Sequence, residues 1–416
     1  MICIIIILTL LRQYRIDPMS ELKKVLIVTY YWPPAGGPAI QRTLKFVKYM
    51  RFFGWEPVIL TVENGEYPAI DPSLIQEIPD NIQVYKTKAF QPFQLYRMLT
   101  GKKGNTHNNA NVFGQKDKTF VERLAKWIRL NLFIPDARIG WYAYAVKAAK
   151  KIIEQEHIDL IYSSSPPHSL QLIAQKIAKQ NKIKWVADFR DPWSELVHYQ
   201  SYKRTWLTRK IDSHFEKSVF RSADRLVAAA NDYATCIKTH VDRKIEVIYN
   251  GYDPSDFPKP KSKNTEDFLI TYTGELSEDR IPHALLRALS RLEDSNIKLQ
   301  FIGNTCPELK QEIQQLNLGN KVILKPYMPH IASIAELQQS DLLLLVINQV
   351  ANGKGIVPGK IFEYLGTRKP ILCLGDPTGE AGEIIKTTNS GFVSLTTMKK
   401  KFSFYCHVFP QVFYLA

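Results

Sequence analysis

Apolar positions along this chain fall into two patterns: short unbroken runs, and longer stretches with apolar residues three or four apart. Val25-Leu26-Ile27-Val28-Thr29 is a bounded run, the signature of a buried strand, and Ala39 to Phe53 after it has helical spacing. The alternation continues. Strands are predicted at Pro57–Val62, Ile82–Lys86, Ile158–Tyr162, Lys184–Ala187, Leu226–Ala229 and Glu246–Tyr249. Further on they are predicted at Phe268–Thr273, Lys298–Ile302, Val322–Leu324, Leu342–Val346 and Pro370–Leu374. Helical spacing marks Thr119–Leu132, with Val121, Leu124, Ile128 and Leu132 on the face expected to pack, and Ile139–Glu156. Strands alternating with helices predict an α/β protein.

The alternation is interrupted in four places. Met1 to Pro18 is apolar but too short to span a bilayer, and it lacks a basic leader and a cleavage site. It is read as a non-native leader from an upstream start, with Met19 as the true start and a signal anchor as the alternative. Ala89 to Lys118 is polar and reads as an exposed loop. Pro258 to Asn264 is Pro-rich and charged, a linker between domains expected at 19–258 and 265–395. Beyond Ser394 neither period survives, so 396–416 is expected to be an atypical tail left by a frameshift or truncation.

Composition narrows the class without naming it. At 416 residues the chain is long enough for two cores. Its five cysteines are scattered, which argues against a disulfide framework or a zinc site and fits a reducing compartment. The net charge of +15 calls for an anionic partner. Most of it lies between Lys86 and Lys151, with fourteen basic against three acidic side chains. Within that segment Arg123, Lys126 and Arg129 form a basic stripe beside Trp127. Residues 119–132 are therefore a candidate contact with an anionic membrane surface, on a protein expected in the cytoplasm, peripheral on the inner face of the membrane. No nucleic-acid recognition module is evident.

The candidate chemistry centres on Asn352 to Leu374, between two predicted strands. A Gly-bearing loop leads to Pro358 and a helix from Gly359 to Gly366, with Ile361, Phe362 and Leu365 expected to face a sheet. Helix N–H groups at Gly359 and the Lys360 ammonium suit a phosphate, and the Glu363 carboxylate suits a ribose diol. A plain βαβ crossover with solvated Lys and Glu explains the same residues equally well. In the first half, Gly36 and Gly37 follow the first strand as in a Rossmann-like opening, or simply make a tight turn. His168, Asp188, Arg190 and Asp191 are expected on loops at strand carboxyl ends, where α/β sheets bind ligands. Alternatively, Asp188 and Arg190 pair with each other as a loop staple.

P-x-K-x-x-E-Y-L-x-x-x-K-P-I-L at Pro358–Leu372 resembles the nucleotide-sugar site of family 4 glycosyltransferases, which have the GT-B fold. Pro135–Tyr142 and Asn250-Gly251-Tyr252-Asp253 are also similar to segments of that family, and the resemblance spans Lys24 to Ser394. It departs in two places: Gly355 stands at the first of the family's two glutamates, and Glu275 where an Arg is usual, leaving Arg280 as the nearest cation.

The resemblance implies two Rossmann-like domains facing across a cleft. It implies sugar transfer, with retention and without a metal, from a nucleotide-diphosphate sugar to a glycan or lipid-linked acceptor in surface-polysaccharide synthesis. No further cofactor is implied. The donor would meet Gly36, Gly37, Gly274, Arg280, Gly359, Lys360 and Glu363. His168 and the polar cluster of Asp188, Arg190 and Asp191 would stand on the acceptor side. A nucleotide-sugar epimerase on the same fold and a catalytically dead anion-binding protein are the alternatives.

Overall fold

The computed structural model describes residues 22–63, 65–67, 70–91, 120–193, 204–259, 263, 265–292, 296–348 and 353–395. The leader, most of the polar loop after Ala89 and the tail from 396 lie outside them. The chain divides into two compact units, Met1–Asn250 and Gly251–Ala416.

The first unit runs β1 (Lys23–Val28), α1 (Pro38–Met50), β2 (Trp55–Val62), β3 (Gln83–Thr87), α2 (Phe120–Asn131), α3 (Tyr142–Glu156) and β4 (Leu160–Ser165). It continues with α4 (Ser169–Asn181), β5 (Lys184–Phe189), α5 (Trp206–Ser222), β6 (Arg225–Ala228), α6 (Asn231–Lys238) and β7 (Ile245–Val247). Among the described residues its strands form one parallel sheet, ordered β3-β2-β1-β4-β5-β6-β7. Val25 aligns with Leu160 across the point where the order reverses. Helices cover both faces, so the strands read as continuous apolar runs; Leu26 and Val28 belong to one core cluster, Val25 and Ile27 to the other. Two strands outrun their prediction by more than one residue at the carboxyl end. β4 includes Ser163–Ser165 and β5 includes Asp188 and Phe189, because their polar side chains bond across the sheet.

The second unit runs β8 (Phe268–Thr273), α7 (His283–Leu289), β9 (Ile297–Ile302), α8 (Pro307–Gln315), β10 (Val322–Lys325) and α9 (His330–Gln339). Then come β11 (Leu342–Val346), α10 (Lys360–Thr367), β12 (Ile371–Leu374), α11 (Glu380–Thr387) and β13 (Gly391–Ser394). These strands form a parallel sheet ordered β10-β9-β8-β11-β12-β13. Every residue of β11 is buried. The inner face of α10 is Ile361, Phe362 and Tyr364, not Leu365. Tyr364 turns inward because its hydroxyl receives a hydrogen bond from the Thr273 N–H (3.1 Å) and donates to the Leu344 carbonyl (3.2 Å). One side chain thus ties α10 to β8 and β11. Among the described residues no helix is long and apolar enough to cross a membrane.

Candidate functional site

In an open parallel sheet the ligand crevice lies outside the strand carboxyl ends where the order reverses. In the second unit that point is between β8 and β11. Gly274 follows β8 with φ of 102°, and Gly303 follows β9 with φ of 126°, both in the left-handed region that favours glycine. A Cβ at Gly303 would lie 2.5 Å from the Gly274 carbonyl oxygen, so these turns pack backbone on backbone. A Cβ at Gly274 would approach the Lys360 ammonium to 3.1 Å. Lys360, the first residue of α10, donates to the Thr273 carbonyl and lies 3.8 Å from the centre of the Tyr272 ring. Burial, and then the neighbouring Arg280, push its ammonium down to about 7, with Glu363 acting in the opposite sense. The Lys360 ammonium therefore stands beside a second basic group at a site that costs it hydration.

Glu363, one turn further on, faces α9 rather than the loop before its own helix. Its Oε1 lies 3.0 Å from Nε2 of His330, whose Nδ1 is 4.0 Å from the Asp256 carboxylate. Gly359 precedes the helix in αR geometry, and the N–H groups of Ile361 and Phe362 are bonded back to Pro358 and Gly359. Gly355 lies buried in a short 3-10 turn, Gly353–Gly355.

In the first unit the order reverses between β1 and β4. The loop after β1 reaches Gly37, whose φ of 108° and ψ of 171° only glycine adopts readily, at the N-terminus of α1. Gly36 packs on Asp71, and the Asp71 N–H bonds the Pro34 carbonyl (2.8 Å). After β4, His168 is buried and stacks on Trp193 with centroids 4.8 Å apart. Burial and Arg190 push its imidazole down to about 3, so it is neutral at physiological pH. Arg190 donates to the carbonyls of Ser165 and Pro166, which fixes the loop after β5 against the loop after β4.

Asp188 is not on that loop. It lies within β5, fully buried, and accepts from Nε and Nη2 of Arg42 (2.9 Å each), from Tyr162 Oη (2.8 Å) and from Ser164 Oγ (2.7 Å). Burial opposes its ionisation, but Arg42 and these hydroxyls hold its carboxyl below the usual range. Asp188 forms its ion pair with Arg42, and its charge also acts on Arg190.

Residues 110–256 match the family model described as Glycosyltransferase Family 4, and residues 254–403 match that described as Glycosyl transferases group 1. The chain belongs to the family 4 glycosyltransferases. Its GT-B fold is shared with HepE of Anabaena, solved with UDP and glucose, at 15% identity and a TM-score of 0.60, covering 94% of this chain and 92% of that one. Sucrose-phosphate synthase of Thermosynechococcus elongatus is similar at 11% identity and a TM-score of 0.61, covering 94% and 90%. The lipopolysaccharide outer core galactosyltransferase WaaB is similar at 13% and 0.53, covering 93% and 89%. No curated protein matches the chain by sequence.

Of the residues expected in this glycosyltransferase to meet the donor, Gly274, Arg280, Lys360 and Glu363 come together around the start of α10, where Gly359 also lies. Gly36 and Gly37 are in the first unit. His168 and Arg190 share a pair of loops, and Asp191 follows Arg190. Sequence reasoning missed Tyr272 beneath Lys360, His330 beside Glu363, and Arg42 against Asp188. Nothing in the local pattern gives the last, since its partner is 146 residues away. His330 has a weak signal: it follows Pro329 at the start of a helix.

Proposed function

We propose that this glycosyltransferase moves a sugar from a nucleoside-diphosphate sugar to a hydroxyl of a glycan or lipid-linked acceptor, with retention, in surface-polysaccharide assembly. The observation that carries the donor half is the pair of cations, Lys360 and Arg280, at the sheet's reversal point. An anion bound there would hold the Lys360 proton that burial and Arg280 weaken, and a diphosphate gains negative charge as it leaves. In the proposed step the bond from the anomeric carbon to the phosphate oxygen breaks while the acceptor oxygen bonds the same face. The acceptor proton passes to the leaving phosphate. Lys360 and Arg280 hold that phosphate, Glu363 binds the ribose hydroxyls, and the turns at Gly274 and Gly359 admit the phosphates to the backbone.

On the first unit, neutral His168 serves as a hydrogen-bonding group for sugar hydroxyls, with Arg190 and Asp191 completing the loop. Asp188 is a positioning residue that acts through Arg42. The UDP and UDP-glucose held by HepE support this donor class, and WaaB's description supports a surface-glycan acceptor. Calorimetry with UDP and GDP tests the reading. Lys360→Ala is expected to weaken binding by roughly 1.5–3 kcal/mol, the size of a charge-assisted hydrogen bond. Unchanged affinity in both Lys360→Ala and Glu363→Ala would remove the assignment.

A further inference from the structure

A glutamate that is to receive two adjacent hydroxyls must present its carboxylate in one orientation, and three rotatable bonds work against that. Glu363 is partly exposed, with 28% of its side chain accessible, and its own helix does not pin it. What does touch it is His330, with Nε2 at 3.0 Å from Oε1. His330 is the first residue of α9, so its backbone is fixed by a different element from the one carrying Glu363. Its ring is the more buried partner, with 16% of the side chain accessible, and its second nitrogen faces Asp256 at 4.0 Å. Asp256 is itself anchored in the short 3-10 turn Pro254–Asp256, which opens the second unit.

From this juxtaposition we propose that His330 is the positioning residue for Glu363, and that it sets donor affinity. The proposal rests on the reading of Glu363 as the ribose-binding group. The chemistry is additive: an ionised carboxylate has about four lone-pair sites. The Nε2–H of His330 occupies one of them and fixes the side-chain torsions. The rest of Oε1 and all of Oε2 stay available for two vicinal hydroxyls. Pre-organisation of this kind raises affinity by removing the ordering cost at the moment of binding.

The experiment measures UDP and GDP dissociation constants and donor KM and kcat for the full chain and five variants. His330→Ala is expected to raise the nucleotide Kd and the donor KM roughly 10- to 150-fold, the loss of one hydrogen bond to a charged group, with kcat changed less than about twofold. His330→Gln places an amide N–H near the position of Nε2 and is expected to recover most of the affinity. His330→Asn, which mimics only the Nδ1 side, is expected to behave like Ala. The double variant His330→Ala/Glu363→Ala should bind no more weakly than Glu363→Ala alone, since the two act as one unit.

An unchanged Kd in a folded His330→Ala protein would overturn the proposal. So would equal losses in Ala and Gln accompanied by lowered melting temperatures, which mark a purely structural histidine. If Glu363→Ala also leaves the Kd unchanged, or the parent binds neither UDP nor GDP, the donor-site reading itself falls. A weakened Glu363→Ala beside an unaffected His330→Ala sinks the positioning role alone.

Discussion

At Lys360 an ammonium is held among Tyr272, the Thr273 carbonyl and a second cation, so burial favours its neutral form and its proton is held only to about pH 7. An unfolded lysine titrates near about 10.4. Between those values the unfolded chain binds the extra proton, so stability of the ligand-free protein rises with pH from about 7 to about 10.4. A bound diphosphate reverses the preference and draws the proton back. Calorimetry of UDP or GDP binding at pH 8, in two buffers of different ionisation enthalpy, should therefore give different apparent enthalpies, the sign of proton uptake. Lys360→Met should erase that difference and raise the melting temperature of the ligand-free protein while weakening nucleotide binding. Equal enthalpies in the parent would mean the site is already protonated. The sequence made Lys360 visible because a Gly-bearing loop and Pro358 announce a helix start. It hid Tyr272, which reaches the site from another strand, while Arg280 came into view only through the family resemblance. Asp188 was misread for a related reason: the pattern of apolar residues ends at Ala187, yet the strand runs on through a carboxylate whose partner comes from α1.

Among the elements, α2 departs most from its sequence expectation. Leu124 and Leu132, assigned to the packing face, are 46% and 64% exposed, and Trp127 is 47% exposed. The helix is secured instead at its C-terminal end, where Asn131 accepts from the Thr205 N–H (2.7 Å) and the Thr208 hydroxyl (3.1 Å) at the start of α5. Periodicity reveals that a helix is amphipathic, but not whether its apolar stripe meets the core. A helix presenting leucine and tryptophan beside Arg123 and Lys126 is suited to an anionic bilayer surface, at about 1 kcal/mol for each basic residue engaged. Sedimentation with anionic vesicles should show binding that salt reverses, and little binding to neutral vesicles. Replacing Arg123, Lys126 and Arg129 with Gln should abolish it without changing nucleotide affinity. Equal partitioning of the triple variant and the parent would remove the membrane role. By contrast, the position of every strand but β13 was legible, with the ends displaced by a few residues, because a parallel sheet covered on both faces leaves an unbroken apolar run.

At the scale of the molecule, each unit closes its own end of the connection. Arg42 in the first unit donates to the Tyr249 carbonyl (3.1 Å) and to Asn250 Oδ1 (3.1 Å), so the chain is fastened up to its last residue there. In the second unit, Tyr252 and Phe257 pack edge to face with centroids 5.4 Å apart, against Gly366 of α10. A Cβ at Gly366 would come within 2.3 Å of the Phe257 ring. These two fastenings leave Gly251 between them, and the bond before it, Asn250–Gly251, where the first unit ends, is therefore the natural junction for building hybrid enzymes. A hybrid that joins residues 1–250 of this chain to a relative's complete second half keeps both fastenings matched. One joined after residue 258 sets this chain's aromatic pair against a foreign helix with whatever side chain stands at the Gly366 position. The first hybrid should purify as a folded protein with a melting temperature near that of its parents, and the second should melt lower or aggregate. If both junctions behave alike, the aromatic pair does not bind the connector to its own half, and donor halves are exchangeable anywhere along the linker.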